Sequence, residues 1–181
     1  MKEDMASKSS RVLFIGRFQP FHRGHEKILA HLLRRYAGVT IAIGSAQERR
    51  TKDNPFSARE RREMIAKVAS SHAGWKRRIS FAFLADRKSN ADWTGALQAR
   101  FPPSSFAVAS ANPLVRKLAK GAKYTLDPSP LFARAKLMGK RIREKVRESK
   151  SIRGQMPASL EKWMEEKGKK IIGRWKRKGR K

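Results

Sequence analysis

At 181 residues, 39% hydrophobic and 33% charged, the chain is long enough to bury one core and has the composition of a folded domain. It contains no cysteine, which excludes disulfides, thiolate metal sites and a cysteine nucleophile. The formal net charge of +29 is as compatible with a solvated face or an unusual cytoplasm as with nucleic acid or another anionic surface, and is densest towards the end, where residues 134–181 carry nineteen Lys/Arg against five Asp/Glu.

Met1–Ser10 is polar with no apolar stretch and reads as a flexible extension, neither a signal peptide nor an anchor. No window reaches the length of a membrane span, so the expected setting is the cytoplasm. Arg11–Ile15 is a β-branched and aromatic run that ends at Gly16. From His22 to Tyr36 the apolar residues Ile28, Leu29, Leu32, Leu33 and Tyr36 recur at helical spacing. Val39–Ile43 is a second strand, stopped by Gly44. Ser57-Ala-Arg-Glu60 is a capping box that opens a helix to about Ser70, with Met64, Ile65 and Val68 inward. Ile79–Leu84 reads as a third strand, Asn90–Arg100 as a short helix and Phe106–Ala109 as a fourth strand. Asn112-Pro113 starts another helix, with proline at its first position. Tyr124–Leu126 is a weak fifth strand. The remainder from Leu131 is expected to be helical, including an amphipathic helix over Ser159–Gly168, and to end in a basic tail.

Strand and helix alternate with short links, and the strands are apolar throughout. This pattern predicts an α/β fold, a parallel sheet with helices on both faces. The expected domain spans residues 11–173, leaving 174–181 as a disordered tail. Ligands of such sheets bind beyond the carboxyl ends of the strands. The segments to inspect are therefore Gly16–His25, Gly44–Pro55, Ala85–Trp93 and Ser110–Pro113.

Gly16–His25 carries the strongest local chemistry. Gly16 lets backbone approach a ligand, Pro20 sets the turn, and Gly24 leaves room for a phosphate. His22 and His25, three apart at a helix start, can face one way. With the free amides of the helix N-terminus and the charge of Arg17, they make an anion site. The His-x-x-x-His spacing and glutamate of a helical zinc site are missing, and no metal-ligating residues are assigned.

Gly16-Arg-Phe-Gln-Pro-Phe-His-Arg-Gly-His25 resembles the motif of the archaeal-type nicotinamide mononucleotide (NMN) adenylyltransferases, members of the nucleotidylyltransferase superfamily. Ile43-Gly-Ser-Ala-Gln47, Asn54-Pro-Phe-Ser-Ala-Arg-Glu-Arg61, Asp86 to Trp93 and Ala111-Asn-Pro-Leu-Val-Arg116 are similar to further blocks of the family and follow in family order over residues 11–126. The resemblance implies a single-domain Rossmann-like nucleotidylyltransferase fold with a helical C-terminal part. It implies transfer of AMP from ATP to the 5′-phosphate of NMN, with Mg²⁺ carried on the ATP. It further implies a homo-oligomer such as a hexamer, against which the chain's charge would work.

Carried over residue by residue, the resemblance gives His22, His25 and Arg17 catalytic roles at the ATP phosphates. Gly16, Phe18, Gln19, Gly24 and Asn112 fall on the ATP side. Asp86, Asn90 and Trp93 fall on the NMN side, where an indole can stack on the nicotinamide and an amide can pair with its carboxamide. Arg49, Arg50 and Lys52 are candidates for the NMN phosphate; Asp53 stands where the family often has an arginine. The family's hydroxyl-rich Ser-Gly-Thr-Glu motif has its counterpart in Met138-Gly-Lys-Arg-Ile-Arg143. There Gly139 and Arg143 remain as ATP-binding candidates, and Lys140 replaces a hydroxyl. Two other readings follow from these departures: a related adenylyl- or cytidylyltransferase with another phosphate acceptor, or a degenerate, nucleic-acid-binding relative. The segment Arg174–Lys181, six bases and a tryptophan, offers RNA a place to bind, but a solvated tail is the favoured reading.

Overall fold

β1 (Arg11–Gly16) is central because it is apolar on both faces: Val12 and Phe14 point one way, Leu13 and Ile15 the other, and all four are buried. It pairs in parallel with β2 (Gly38–Ile43) on one side and β4 (Phe106–Ala109) on the other. β3 (Ile79–Phe83) adds outside β2, giving the order β3-β2-β1-β4. The computed structural model describes residues 11–128 and 138–174.

Helices cover both faces, as two apolar clusters show. On the first, Ile28, Leu29, Leu32 and Leu33 of α1 (Arg23–Arg35) join Met64, Ile65 and Val68 of α2 (Ala58–Ser70). The C-terminal helices complete this face: α6 (Gly139–Arg147) through Ile142 and Val146, α7 (Ala158–Trp163) through Leu160 and Trp163, and α8 (Lys169–Gly173) through Ile172. On the second face Leu97 of α4 (Asn90–Arg100) and Ala119 of α5 (Pro113–Gly121) pack on Leu13, Ile15, Ala42 and Val108. None of the described helices is long and apolar enough to cross a membrane.

Two sequence expectations change and one unexpected element appears. Tyr124–Leu126 is no strand; Leu126 makes one parallel bridge to Val108, and the Tyr124 ring buries itself on the second face instead. A four-residue helix, α3 (Trp75–Arg78), lies before β3, too short for a periodic signal. The helix expected over Ser159–Gly168 is α7 followed by a π-helical stretch, Met164–Gly168, running into α8. A Cβ on Gly168 would collide with Met164 Sδ, so the glycine makes room for the Met164 side chain as the helix widens. The extension before Arg11, residues 129–137 and the tail from 175 onward lie outside the described residues.

The chain runs outward from β1 to β2 and β3, then returns to place β4 on the opposite side of β1. The direction of winding therefore reverses at the carboxyl ends of β1 and β4, the place where doubly wound sheets open a crevice.

Candidate active site

A cleft of ≈ 960 Å³ opens at that crevice. All the sequence-predicted site residues line it except Arg49 and Arg50. Its charged rim has six bases, Arg17, Lys52, Arg87, Lys140, Arg143 and Arg147, against three acids, Asp53, Asp86 and Glu144, among the described residues. Such a cleft attracts and holds anions.

The floor is built by the turn after β1. A Cβ on Gly16 would come within 2.9 Å of the Phe18 ring, so only glycine lets the turn close this tightly. Phe18 takes a left-handed conformation, φ 52°, and its ring packs edge-on to Phe14 and His25 at centroid distances of 5.2 and 4.9 Å. Phe21 flanks His25 at 5.3 Å. His22 is the N-cap of α1, and its backbone N–H donates to His25 Nδ1 at 3.3 Å. That bond requires an acceptor at Nδ1, so a neutral His25 carries its proton on Nε2. The two imidazoles stack at 3.6 Å, and His22 Nδ1 is buried with no protein partner among the described residues. The amide of Gly24, in the first turn of α1, has no intrahelical acceptor.

Burial lowers the pKa of His22 to about 4; burial and then the neighbouring His22 charge push His25 well below its usual value. Both rings are therefore neutral at pH 7 in the nucleotide-free protein. A histidine whose folded pKa lies under its unfolded value near 6.5 contributes stability that is complete above pH 6.5 and is lost as pH falls towards 4. For His22 the loss is on the order of 3 kcal/mol. The melting temperature is expected to decline over that window, and His22→Asn to flatten the decline; an unchanged slope in the variant would reject buried, neutral His22.

The second wall is the start of α6. Met138 is its N-cap and offers no side-chain acceptor, so the first-turn amides at Gly139 and Lys140 are left for another anion. A Cβ on Gly139 would stand 2.8 Å from Gln19 O, so the missing side chain lets α6 approach the floor. Arg143 Nη1 then donates to the same carbonyl at 2.8 Å, while its Nη2 meets Asp53 Oδ1 at 2.9 Å. Gln19 serves structure here: its amide exchanges two hydrogen bonds with the backbone of Phe56 and ties the floor to the loop before α2.

On the far side, Asp86 is pinned by Ser45 Oγ at 3.1 Å and Gln47 Nε2 at 2.9 Å, which holds the loops after β2 and β3 together. Asn90 is the first residue of α4 but not its cap: Ser89 accepts from Asp92 N, and the Asn90 side chain makes no hydrogen bond among the described residues. Trp93 is half-buried, packed against the second apolar cluster while also lining the cleft. Asn112 does cap its helix, accepting from Leu114 N at 3.0 Å, so its carbonyl oxygen is already engaged. Of the three bases proposed for the mononucleotide phosphate only Lys52 lines the cleft. Arg50 forms a double hydrogen bond with Glu60 at 2.8 Å, and Arg49 lines a separate groove beside Phe83.

Three contributors were not singled out from sequence. Arg147 lies one turn beyond Arg143 on α6, a spacing that shares a face. Arg87 lies in the loop after β3. Arg61, fully buried, donates to the carbonyls of Arg17, Gly44, Ser45 and Ser57 at 2.9, 2.7, 3.0 and 3.3 Å, stitching the loops after β1 and β2 to α2. Its place three residues before Met64 and four before Ile65 set it on the apolar face, a signal available in the spacing. No group of three or more His, Asp or Glu converges as a metal site among the described residues.

A family model described as cytidylyltransferase-like matches residues 13–93. A nicotinamide-nucleotide adenylyltransferase of Thermoplasma acidophilum is 38% identical over 142 residues, covering 77% of this chain and 76% of the relative. One from Haloarcula marismortui is 33% identical over 156 residues, covering 86% and 81%. Among solved structures, a bifunctional NMN adenylyltransferase/ADP ribose pyrophosphatase of Francisella tularensis, complexed with AMP and a Mn ion, superposes with a TM-score of 0.71 at 20% identity. The match covers 91% of this chain but 52% of that one, and at this identity it shows the fold alone. With the Rossmann-like parallel sheet and the histidine pair at its crevice, these relatives show that the chain belongs to the nicotinamide-nucleotide adenylyltransferase family.

Proposed function

We propose that this chain makes NAD and pyrophosphate from ATP and NMN by direct in-line displacement. The observation that carries the reading is the convergence of two helix starts, α1 and α6, and a stacked histidine pair on a basic cleft whose opposite wall holds Trp93 and Asn90. A 5′-phosphate oxygen of NMN forms the new bond to the α-phosphorus as the bond from that phosphorus to the bridging oxygen breaks. The electron pair leaves with pyrophosphate, and no proton has to move. Both reactants are anions, so the protein's task is placement and charge neutralisation.

In this scheme His25 donates from Nε2 to an α-phosphoryl oxygen, with Phe14, Phe18 and Phe21 holding the ring. The buried, unpartnered Nδ1 of His22 takes a second phosphate contact. Arg17, Arg143 and Lys140 clamp the polyphosphate, and the charge of Lys140 serves where a hydroxyl is missing. Magnesium enters as part of the substrate, MgATP, keeping water ligands of its own. Lys52 is the base nearest to hand for the NMN phosphate. The protein is proposed to work in the cytoplasm as a homo-oligomer, a hexamer being the form to test by light scattering.

Purified protein given ATP, Mg²⁺ and NMN should form NAD and pyrophosphate in equal amounts. Turnover with a different phosphate acceptor and none with NMN would move the chain to a related adenylyl- or cytidylyltransferase. Trp93→Ala is expected to raise KM for NMN about 10- to 50-fold, the worth of a stacked cationic ring, with KM for ATP nearly unchanged. A variant that lost ATP affinity alone would show that the two pockets had been exchanged.

A further inference from the structure

The loop between β2 and α2 carries an acid into the most basic wall of the cleft. Asp53 Oδ1 stands 2.9 Å from Arg143 Nη2. That hydrogen bond holds the Asp53 carboxyl below its ordinary range, and the charges of Arg143, Arg17 and Arg147 add to the effect. The partners differ sharply in freedom: the Asp53 side chain is 68% exposed and that of Arg143 4%. Arg143 is braced from behind by the Gln19 carbonyl. The Nε atoms of both Arg143 and Arg147 are buried with no hydrogen-bond partner among the described residues.

The backbone under Asp53 is held as well. Arg147 donates to the Lys52 carbonyl, and Thr51 and Asn54 close a turn on each other through Asn54 N to Thr51 Oγ1, 3.0 Å, and Thr51 N to Asn54 O, 3.2 Å. The carboxylate can therefore leave Arg143 by rotating about its own side-chain bonds into water, with no movement of the loop. A carboxylate on an otherwise anion-ready guanidinium, in a cleft shared with two unprotonated histidines, occupies ground that a phosphate would take.

We propose that Asp53 is a tethered competitor for the polyphosphate: it covers the outer edge of Arg143 in the nucleotide-free chain, is displaced by ATP, and returns as pyrophosphate leaves. The inference rests on the assignment of this cleft to ATP. Asp53 touches no reacting atom; it sets the affinity for the polyphosphate on entry and exit, and it lowers both. Arg147, one turn along α6, and Lys140 are the positive charges that the incoming phosphates meet together with Arg143.

The test is calorimetric titration of wild type, Asp53→Asn and Asp53→Glu with MgATP and, separately, with inorganic pyrophosphate. The amide of Asp53→Asn can still accept from Arg143, so the fold is kept. It should bind both probes about 2- to 5-fold more tightly, the scale of a partly exposed charge contact. Inhibition of NAD synthesis by added pyrophosphate should strengthen by the same factor, with KM for NMN unchanged. Asp53→Glu, which restores the charge, should bind close to wild type. Equal or weaker binding by Asp53→Asn overturns the inference, weaker binding marking Asp53 as a ligand of the metal on ATP or a buttress of Arg143. If all three proteins bind MgATP and make NAD with no gain in Asp53→Asn, the competitor role alone fails. If none binds MgATP, the assignment of the cleft fails and the competitor role with it.

Discussion

Replacing His25 with alanine is expected to lower kcat for NAD formation by about 10³-fold, the effect of deleting one preorganised donor to a developing phosphoryl charge. The expectation is this large because nothing else in the cleft repeats what His25 does. Its Nδ1 is engaged by the His22 backbone N–H, which commits Nε2 as donor, and three phenyl rings fix the plane of the imidazole. His22 cannot take over, since it stacks on the ring that would be gone. His25→Gln keeps an N–H donor on a flexible stem and should lie between alanine and wild type. KM for ATP should change by less than the turnover does, because Arg143, Arg17 and the helix amides bind the ground state as well. Near-normal turnover in His25→Ala, with the far-ultraviolet spectrum of wild type, would remove His25 from the mechanism.

The second large effect is expected on stability. Arg61→Met fills much the same volume but leaves the carbonyls of Arg17 and Gly44 without their donor, while Ser57 O keeps the backbone N–H of residue 61 and Ser45 O that of Glu48. At about 1–3 kcal/mol for each buried acceptor left unsatisfied, less what water recovers, the cost is about 4 kcal/mol. For a domain of this size that lowers the melting temperature by about 10 °C. The guanidinium is expensive to hold: burial, and after it the charge of Arg17, lowers the Arg61 pKa to about 10. Its retention in an apolar face fits a role in positioning the Gly16–Phe18 and Gly44–Ser45 turns, both of which line the cleft. A variant melting within about 2 °C of wild type would show that those carbonyls find other donors.

Much of this site was readable along the chain because its parts are local. Helical spacing set the inward face of α1, and the histidines three apart at its start share a side because a helix turns by 3.6 residues. Ser57 and Glu60 form the expected capping box, Pro113 opens α5, and α4 spans the expected Asn90–Arg100. Each of these depends on residues within one turn of one another. Gly139 was legible as a motif glycine, though its reason, the approach of Gln19 O, was not.

The parts that were not legible depend on partners far apart in the chain. Arg50 sat in the right loop but lies outside the cleft, because Glu60, ten residues on, offers a geometry that holds both its terminal nitrogens. Gln19 belongs to the motif, yet its amide is consumed by Phe56. Asp53 stood out along the chain only as an acid where the family often has an arginine; its partner is Arg143, 90 residues away.

The sequence by itself determined the elements, the parallel α/β class and the chemistry of the Gly16–His25 segment, since propensity, periodicity and helix-end signals act over a few residues. Only the tertiary structure decided the order β3-β2-β1-β4, which puts the crevice between β1 and β4 and brings the start of α6 against Gln19. It also decided which bases face the cleft and which are bound elsewhere, and that Asp53 stands on Arg143. A charged side chain has many partners within reach of its length; which one it meets is set by the packing of elements it does not belong to.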